Sequence, residues 1–305
     1  MKFEVTILGS SSATPIYNRN PSSQVLNINE RLFLVDCGEG TQQQMLRFGV
    51  KASRIDNIFI SHLHGDHYLG LVGLLSSLHL NGRKKTLNLY APAPLKEIIE
   101  LQLKYSETEL QYPINYVFTN AENPALIHEN QDITVETIPL DHRIPTTGFL
   151  FKQKKRNRKL IKEKAEELNI PIEYYTAIKK GNDYTANDGS VYKNDTLTTA
   201  PEPPKSYAYC SDTIYNERYF KQISNVDLLY HESTFLNDML ERAKSTFHTT
   251  ALQAGQIALT VGAKKLALGH FSARYKTLDE ILIEAQSVFP NSELATEGKT
   301  FVIET

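Results

Sequence analysis

Short apolar runs recur along the chain, each closed by Gly, Asn or Ser turn residues, with longer helical patterns between them. Val5 to Leu8, Val25 to Ile28 and Leu32 to Val35 predict strands, the first ended by Gly9-Ser-Ser-Ser and the second by the Asn27 to Glu30 turn. Glu39 to Phe48 has helix formers and a Gly49 stop. Asn57-Ile-Phe-Ile-Ser61 predicts a strand that runs straight into a polar loop, followed by a helix over Tyr68 to Leu80. Leu87 to Tyr90, Val117 to Phe118 and Ile133 to Ile138 continue the strands, and Pro94 to Tyr105 predicts a helix with proline at its start. After Phe149-Leu-Phe151 the pattern changes to a basic run, a helical Leu160 to Leu168, a tyrosine-rich stretch and a Pro201-Glu-Pro-Pro204 exit. Alternation resumes with Tyr207 to Cys210, Leu228 to Tyr230, Thr249 to Val261, Leu266 to Leu268, Leu278 to Phe289 and Phe301 to Ile303. Residues 152–205 thus read as an insertion into one domain made of residues 1–151 and 206–305. Two β-rich halves, each followed by helices, predict an α/β chain with two packed sheets covered outside by helices, a four-layer sandwich.

An apolar fraction of 41% and a charged fraction of 22% are those of a globular chain, and no apolar run approaches the roughly 20 residues of a membrane span. Integral membrane and disordered classes are excluded. The N-terminus reads as an immediate strand and not as a secretory signal, so a cytoplasmic address is expected. Cys37 and Cys210 are too far apart to be a ligand pair by spacing and read as buried, reduced thiols. A net charge of −2 by itself points to no nucleic-acid partner, but residues 151–180 carry ten Lys/Arg against four Glu. That segment is +6, and the rest of the chain −8.

The chemical centre of the sequence is His62-Leu-His64-Gly-Asp66-His67. In an extended loop, residues two apart project to the same side, so His62 and His64 reach one metal. Asp66 and His67, at the turn into the helix, are offset towards a second. Imidazole with a hard carboxylate suits zinc better than manganese or iron. A His-rich loop can also be merely solvated; the other histidines argue against that. His142 follows the strand ending at Ile138, Asp212 follows Tyr207 to Tyr209, and His270 follows the strand ending at Leu268. Strand ends converge on one sheet edge, and these three residues with the hexad make two complete sites. His79, on a helix, and His128, in a polar loop, read as surface or structural groups.

With these residues the chain resembles the metallo-β-lactamase superfamily, whose αβ/βα sandwich binds one or two metals. Gly9 to Asn20 ending Pro15-x-x-x-Arg19-Asn20, then His231-Glu-Ser-Thr234, Phe247-His248-Thr249-Thr250 and His270-Phe-Ser-Ala-Arg-Tyr275 resemble, more narrowly, the successive motifs of the ribonuclease Z family of tRNA 3′-end endonucleases. They fall in family order and span nearly the whole chain. The resemblance implies a zinc-dependent endoribonuclease that removes the 3′ trailer from precursor tRNA by metal-activated hydroxide attack, leaving a 3′-hydroxyl on the tRNA. It implies two zinc ions per subunit, with manganese possible: His62, His64 and His142 on one, Asp66, His67 and His270 on the other, and Asp212 bridging. Asp66 is also the implied proton acceptor. Glu232 and His248 are an implied proton-delivery pair, Glu232 orienting the imidazole that protonates the departing oxygen.

The same resemblance implies a homodimer in which one subunit's arm serves the other's site, and makes the insertion a flexible arm that grips the tRNA elbow. Lys152, Lys154, Lys155, Arg156, Arg158 and Lys159 would attract phosphates without reading sequence. Arg274, in the last motif, is a further substrate-binding candidate, while Tyr174 and Tyr175 either stack or cover apolar surface. No membrane or DNA partner is expected. The chain departs from the family at Cys210-Ser-Asp-Thr213, commonly Ser-Gly-Asp-Thr, and at His231-Glu-Ser-Thr234, commonly His-Glu-Ala-Thr; neither removes a ligand. The arm tip Asn169-Ile-Pro-Ile-Glu-Tyr-Tyr175 lacks the usual Gly-Pro pattern. The alternatives are another superfamily hydrolase (a phosphodiesterase, an arylsulfatase or a glyoxalase II-like thioesterase), which needs neither basic arm nor His248, and a noncatalytic RNA-binding module, against which the intact ligand set speaks.

Overall fold

A computed structural model of the chain describes residues 2–304. The chain divides into two compact units, one running through Lys152 and resuming at Lys205, the other Gln153–Pro204.

The larger unit holds two seven-stranded sheets. Across the first the order is Thr300–Val302, Phe3–Gly9, Ser23–Ile28, Arg31–Cys37, Ile55–Phe59, Leu87–Ala91 and Ile114–Phe118. Pairing is antiparallel as far as Arg31–Cys37 and parallel beyond it. Across the second it is Ser292–Leu294, Lys265–Gly269, Leu228–Glu232, Ser206–Cys210, Thr146–Gln153, Ile133–Leu140 and Leu126–Glu129. The first four of these are parallel, and Ser206–Cys210 is antiparallel to Thr146–Gln153.

Side chains alternate across each strand and so divide between two cores. Phe33 and Val35 enter the core between the sheets, while Leu32 and Leu34 pack with Met45, Leu71, Leu75 and Leu95 of the helices Thr41–Arg47, Leu71–Leu80 and Pro94–Tyr105. Tyr207 and Tyr209 likewise face the inter-sheet core, and Ala208 and Cys210 face Ala251–Thr260 and Asp279–Gln286. Strands buried on both faces read as near-continuous apolar runs, and the four layers follow. Cys37 and Cys210 are buried and unpaired, and burial pushes the Cys37 thiol up to about 12.

Two features differ from the sequence reading. The helix expected over Tyr68 to Leu80 is broken into Gly65–Tyr68 and Leu71–Leu80. Gly70 lies between them because the chain there presses on the end of the strand Arg31–Cys37: a Cβ on it would sit 2.2 Å from the Gly38 carbonyl oxygen. His128, expected in a polar loop, lies instead on the edge strand Leu126–Glu129, since pairing with Ile133–Leu140 overrides the polarity of these residues. His128 is half-buried and hydrogen-bonded to the Tyr90 hydroxyl at 2.7 Å, a structural role. His79 accepts the Gln111 N–H at 3.1 Å. Among the described residues no helix is long and apolar enough to cross a membrane.

The smaller unit is built from short elements: helices Lys162–Glu167, Tyr175–Lys179 and Asn194–Leu197, and two-stranded ladders joining Lys159–Leu160 to Thr198–Thr199 and Tyr184–Thr185 to Val191–Tyr192. Leu160, Ala165, Ile170, Ile178, Tyr184 and Leu197 form its own core. Tyr174 and Tyr192 pack their rings on Tyr184, and Tyr175 is partly buried beside this core.

Candidate metal centre

Parallel pairing decides where the site forms. Arg31–Cys37 runs parallel to Ile55–Phe59, and Ser206–Cys210, Leu228–Glu232 and Lys265–Gly269 run parallel to one another. Their carboxyl ends gather Asp36, the hexad, Asp212, Glu232 and His270 at one edge, the usual place for ligands in such sheets. Asp36, Asp212 and His270 have φ values of 55°, 56° and 58°. Left-handed backbone at non-glycine residues persists where the surroundings over-determine it, and it clusters at functional sites.

Two donor clusters result. In the first, Nδ1 of His64 lies 3.1 Å from Nε2 of His62 and 3.2 Å from Nε2 of His142. Oδ2 of Asp212 is 3.6 and 3.7 Å from Nε2 of His62 and His142. In the second, Oδ1 of Asp212 is 3.2 and 3.1 Å from Nε2 of His67 and His270. Oδ2 of Asp66 is 3.6 and 3.5 Å from the same two nitrogens. Tetrahedral donors about 2.1 Å from an ion stand about 3.4 Å from one another, the spacing found here. Nε2 of His67 and of His270 are buried and make no hydrogen bond in spite of these carboxylates, as expected of lone pairs aimed at a common point. The residues therefore fit a divalent metal pair, with one oxygen of Asp212 facing each cluster.

The other ring nitrogen of each buried imidazole is fixed from behind. Nδ1 of His62 meets the Ser61 hydroxyl at 3.0 Å, His67 donates to Asp36 Oδ2 at 2.6 Å, His142 to the Phe247 carbonyl at 2.9 Å, and His270 to the Thr234 hydroxyl at 3.0 Å. Such partners set the tautomer and turn the remaining lone pair inward. Burial above all holds His62, His64 and His142 below the usual imidazole value, so they are neutral donors. Around His67, burial is outweighed by Asp212, Asp36 and Asp66, which raise its pKa; a field of that sign favours a cation between them. Burial also opposes charge on Asp66, yet His67 and His270 hold it far below the usual carboxylate range.

Beside the clusters stands the second expected group. Nδ1 of His248 lies 3.0 Å from Oε1 of the fully buried Glu232, which also accepts the Thr213 N–H at 2.7 Å. The helix that follows fixes His248 in place: Thr250 caps it, accepting the Gln253 N–H at 3.2 Å while the Gln253 side chain accepts the Thr250 N–H at 3.1 Å. Burial opposes a proton on His248, but Glu232 outweighs it and raises the imidazole to about 9. The ring faces those of His142 and His270 at 5.1 and 5.4 Å.

The first motif closes over this edge. Ala13 donates its N–H to Asp66 Oδ2 at 2.8 Å. Glu297 accepts the Ser10 and Asn20 N–H groups at 3.1 and 2.9 Å, pinning both ends of the loop, and Arg19 donates to the Tyr275 carbonyl at 2.6 Å. Arg274 is exposed on the loop that follows His270. Of the basic candidates, Lys152 lies on the sheet strand Thr146–Gln153, with Nζ 3.8 Å from Glu136. Lys155, Arg156 and Arg158 line a cleft of about 550 Å³ within Gln153–Pro204, together with Lys179 and Lys180. Lys154 is half-buried and Lys159 exposed.

Sequence reasoning missed Asp36, Lys179 and Lys180. An acid inside the apolar run Leu32-Phe-Leu-Val-Asp-Cys37 was the available signal for Asp36. Lys179 and Lys180 sit twenty residues beyond the basic run, and the Arg158 N–H bonded to the Lys179 carbonyl at 2.9 Å brings the two segments together.

The fold and this site define the class: the chain has the metallo-β-lactamase fold with a divalent-metal site. The metallo-β-lactamase fold protein YhfI from Bacillus subtilis superposes with a TM-score of 0.69 at 20% identity, covering 99% of this chain and 100% of that one. Human tRNase Z, short form, superposes with a TM-score of 0.72 at 26% identity, covering 99% and 100%. Residues 3–160 match the sequence model of the family described as "Anti-Pycsar protein Apyc1", a match that ends before Asp212, Glu232, His248 and His270. Ribonuclease Z of Bacteroides fragilis is 45% identical over 297 residues, 97% of this chain and 98% of that protein. The chain belongs to the Apyc1 family over its first half and, over its whole length, to the ribonuclease Z family.

Proposed function

We propose that the protein is a zinc-dependent endoribonuclease that cuts precursor tRNA at its 3′ end, releasing the trailer and leaving a 3′-hydroxyl on the tRNA. The observation that carries this is the pair of donor clusters sharing Asp212, with the His248–Glu232 pair beside them, in a chain 45% identical to a ribonuclease Z along its length. His62, His64 and His142 would hold one zinc, Asp66, His67 and His270 the other, and Asp212 both; manganese suits the same donors less well. Bound there, a metal pair supplies Lewis acidity to a phosphodiester and lowers the pKa of water towards about 7.

The chain's own residues supply the rest. Asp66, ionised and fixed by Ala13, takes the proton of the attacking water. His248, kept protonated and oriented by Glu232, gives a proton to the departing oxygen. The cations of Gln153–Pro204 bind phosphates distant from the scissile bond, and Arg274 binds near it. In this reading the protein acts as a homodimer, one subunit's arm serving the other's site.

The test is incubation with a precursor tRNA carrying a 3′ trailer, with both product ends mapped. A 3′-hydroxyl on the tRNA and a 5′-phosphate on the trailer are expected. Hydrolysis of an aryl phosphodiester with no tRNA cleavage would instead favour a small-substrate hydrolase.

A further inference from the structure

Behind the second donor cluster the Tyr209 hydroxyl crosses from one sheet to the other. Tyr209 is fully buried on the strand Ser206–Cys210, its ring stacked on Tyr230 with centroids 5.0 Å apart and planes 15° apart. Its hydroxyl donates to Oδ2 of Asp36 on the facing sheet at 2.6 Å. The same Oδ2 accepts the His67 Nδ1–H at 2.6 Å and the Ser61 hydroxyl at 2.9 Å, while Oδ1 accepts the Ser61 N–H at 2.8 Å. Asp36 is fully buried, so these donors stand in for water around its charge. No step of the proposed reaction uses the phenol of Tyr209.

How hard Asp36 pulls on the His67 proton depends on how well its charge is satisfied by the other donors. A phenol bonded to an ionised carboxylate is a strong donor. Without it, more of the charge falls on the His67 N–H, while the carboxylate loses one of the donors that fix it and so holds the ring less firmly in place. We propose that Tyr209 is a positioning residue for the second metal: its hydroxyl, reaching across the sandwich to Asp36, sets the orientation of His67 and the strength of its Nδ1–H bond to Asp36. The inference rests on the metal pair proposed above. Tyr207 is the internal comparison, equally buried on the same strand and face, with its hydroxyl bonded to Gln24 and not to Asp36.

The experiment compares Tyr209→Phe and Tyr207→Phe in the full chain. Zinc affinities are read by competition with a chromophoric chelator, the ligand field by visible absorption after cobalt substitution, and the His67 Nδ1 proton by NMR of ¹⁵N-histidine-labelled protein. Tyr209→Phe is expected to weaken one of the two ions about tenfold, the low end for an outer partner of a metal ligand, to alter the cobalt spectrum and to move the His67 proton downfield. Tyr207→Phe should do none of these. Site-specific 3-fluorotyrosine at position 209 keeps the ring, strengthens the donor and should move the proton upfield, which reads the link even if the phenylalanine variant folds poorly. Parent-like affinities, spectrum and proton in the position 209 variants would overturn the proposal, as would equal losses in Tyr207→Phe. A parent chain that takes up neither zinc nor cobalt would count against the proposed function instead; the His67 proton of the metal-free chain still tests the link from Tyr209.

Discussion

At the sheet edge the ionisable side chains are buried or half-buried, and His62, His67, His142, His270 and Glu232 each answer to a second partner: Ser61, Asp36, the Phe247 carbonyl, Thr234 and the Thr213 N–H. In Gln153–Pro204 the charges are laid out differently. Lys155, Arg156, Lys179 and Lys180 are exposed around a cleft, and the core beneath them is a handful of side chains. The first arrangement is interdependent, since removing one member leaves the others buried and unsatisfied. The second is graded, because exposed cations contribute singly and salt screens them. One region should therefore fail all at once, the other by degrees.

The largest effect should come from the carboxylates that the clusters share or expose. Asp212→Asn removes a group that faces both clusters, and Asp66→Asn removes a donor together with the proposed proton acceptor. Each should cost on the order of 10³-fold or more on every phosphodiester, with metal content falling below two ions per subunit for Asp212→Asn. Elemental analysis beside aryl phosphodiester and tRNA assays reads this. An Asp212→Asn chain that keeps two ions and full activity would show that the edge is not interdependent.

A sharper cut lies within the edge itself. His248→Ala should spare the metals and lower tRNA cleavage by about 10²- to 10⁴-fold, the range of one general acid, while an aryl phosphodiester with a good leaving group changes far less. The pH dependence has a definite sign. His248 must be protonated to act as an acid, and its raised pKa keeps it so up to about 9. Cleavage of tRNA should thus fall as pH rises through about 9, and in Glu232→Gln the falling limb should move down towards the ordinary histidine value of about 6.5. Equal losses on both substrates, or an unmoved limb, would remove His248 from the acid's role.

The sheet edge was legible because its donors occur at strand ends, and strand ends are visible as the last residues of apolar runs: His62 after Asn57 to Ser61, Asp212 after Tyr207 to Tyr209, His270 after Leu266 to Leu268. The layers were legible for the same reason, and Pro94–Tyr105 falls where its proline and periodicity put it. Asp36 escaped because an acid in a strand announces burial without naming its partner, and His67 lies on another segment. The strand Leu126–Glu129 escaped because its neighbours and not its own residues make it one. Lys179 and Lys180 escaped because the closure of a small unit, not a run of charge, brings them to Arg158.

The graded region yields the next effect in size. Replacing Gln153–Pro204 by a short Gly/Ser linker leaves all seven proposed ligands and the His248–Glu232 pair in place. Metal content and aryl phosphodiester hydrolysis should stay nearly intact. Affinity for precursor tRNA should fall on the order of 100-fold at low salt, with a flatter salt dependence, as phosphate contacts and their counterion release are lost. Undiminished tRNA cleavage across a salt series would mean that these cations are only a solvated face.

Single cations give the smallest effects and divide the basic candidates by surroundings. Lys155 and Lys179 line one cleft from two segments of the same unit, and in the proposed function each would meet a backbone phosphate. Lys155→Ala and Lys179→Ala should each weaken tRNA binding several-fold and reduce the slope of log affinity against log salt by about one, alike for different tRNAs. Lys152 belongs to the sheet strand Thr146–Gln153 and sits 3.8 Å from Glu136, so its charge is already partly answered within the protein. Lys152→Ala should change affinity by no more than about twofold, within the range of an exposed ion pair, and leave the slope alone. Filter binding or fluorescence anisotropy over a salt series separates the cases. A slope change in Lys152→Ala as large as that in Lys155→Ala would extend the phosphate-binding surface onto the sheet strand and erase the contrast between paired and unspent charge.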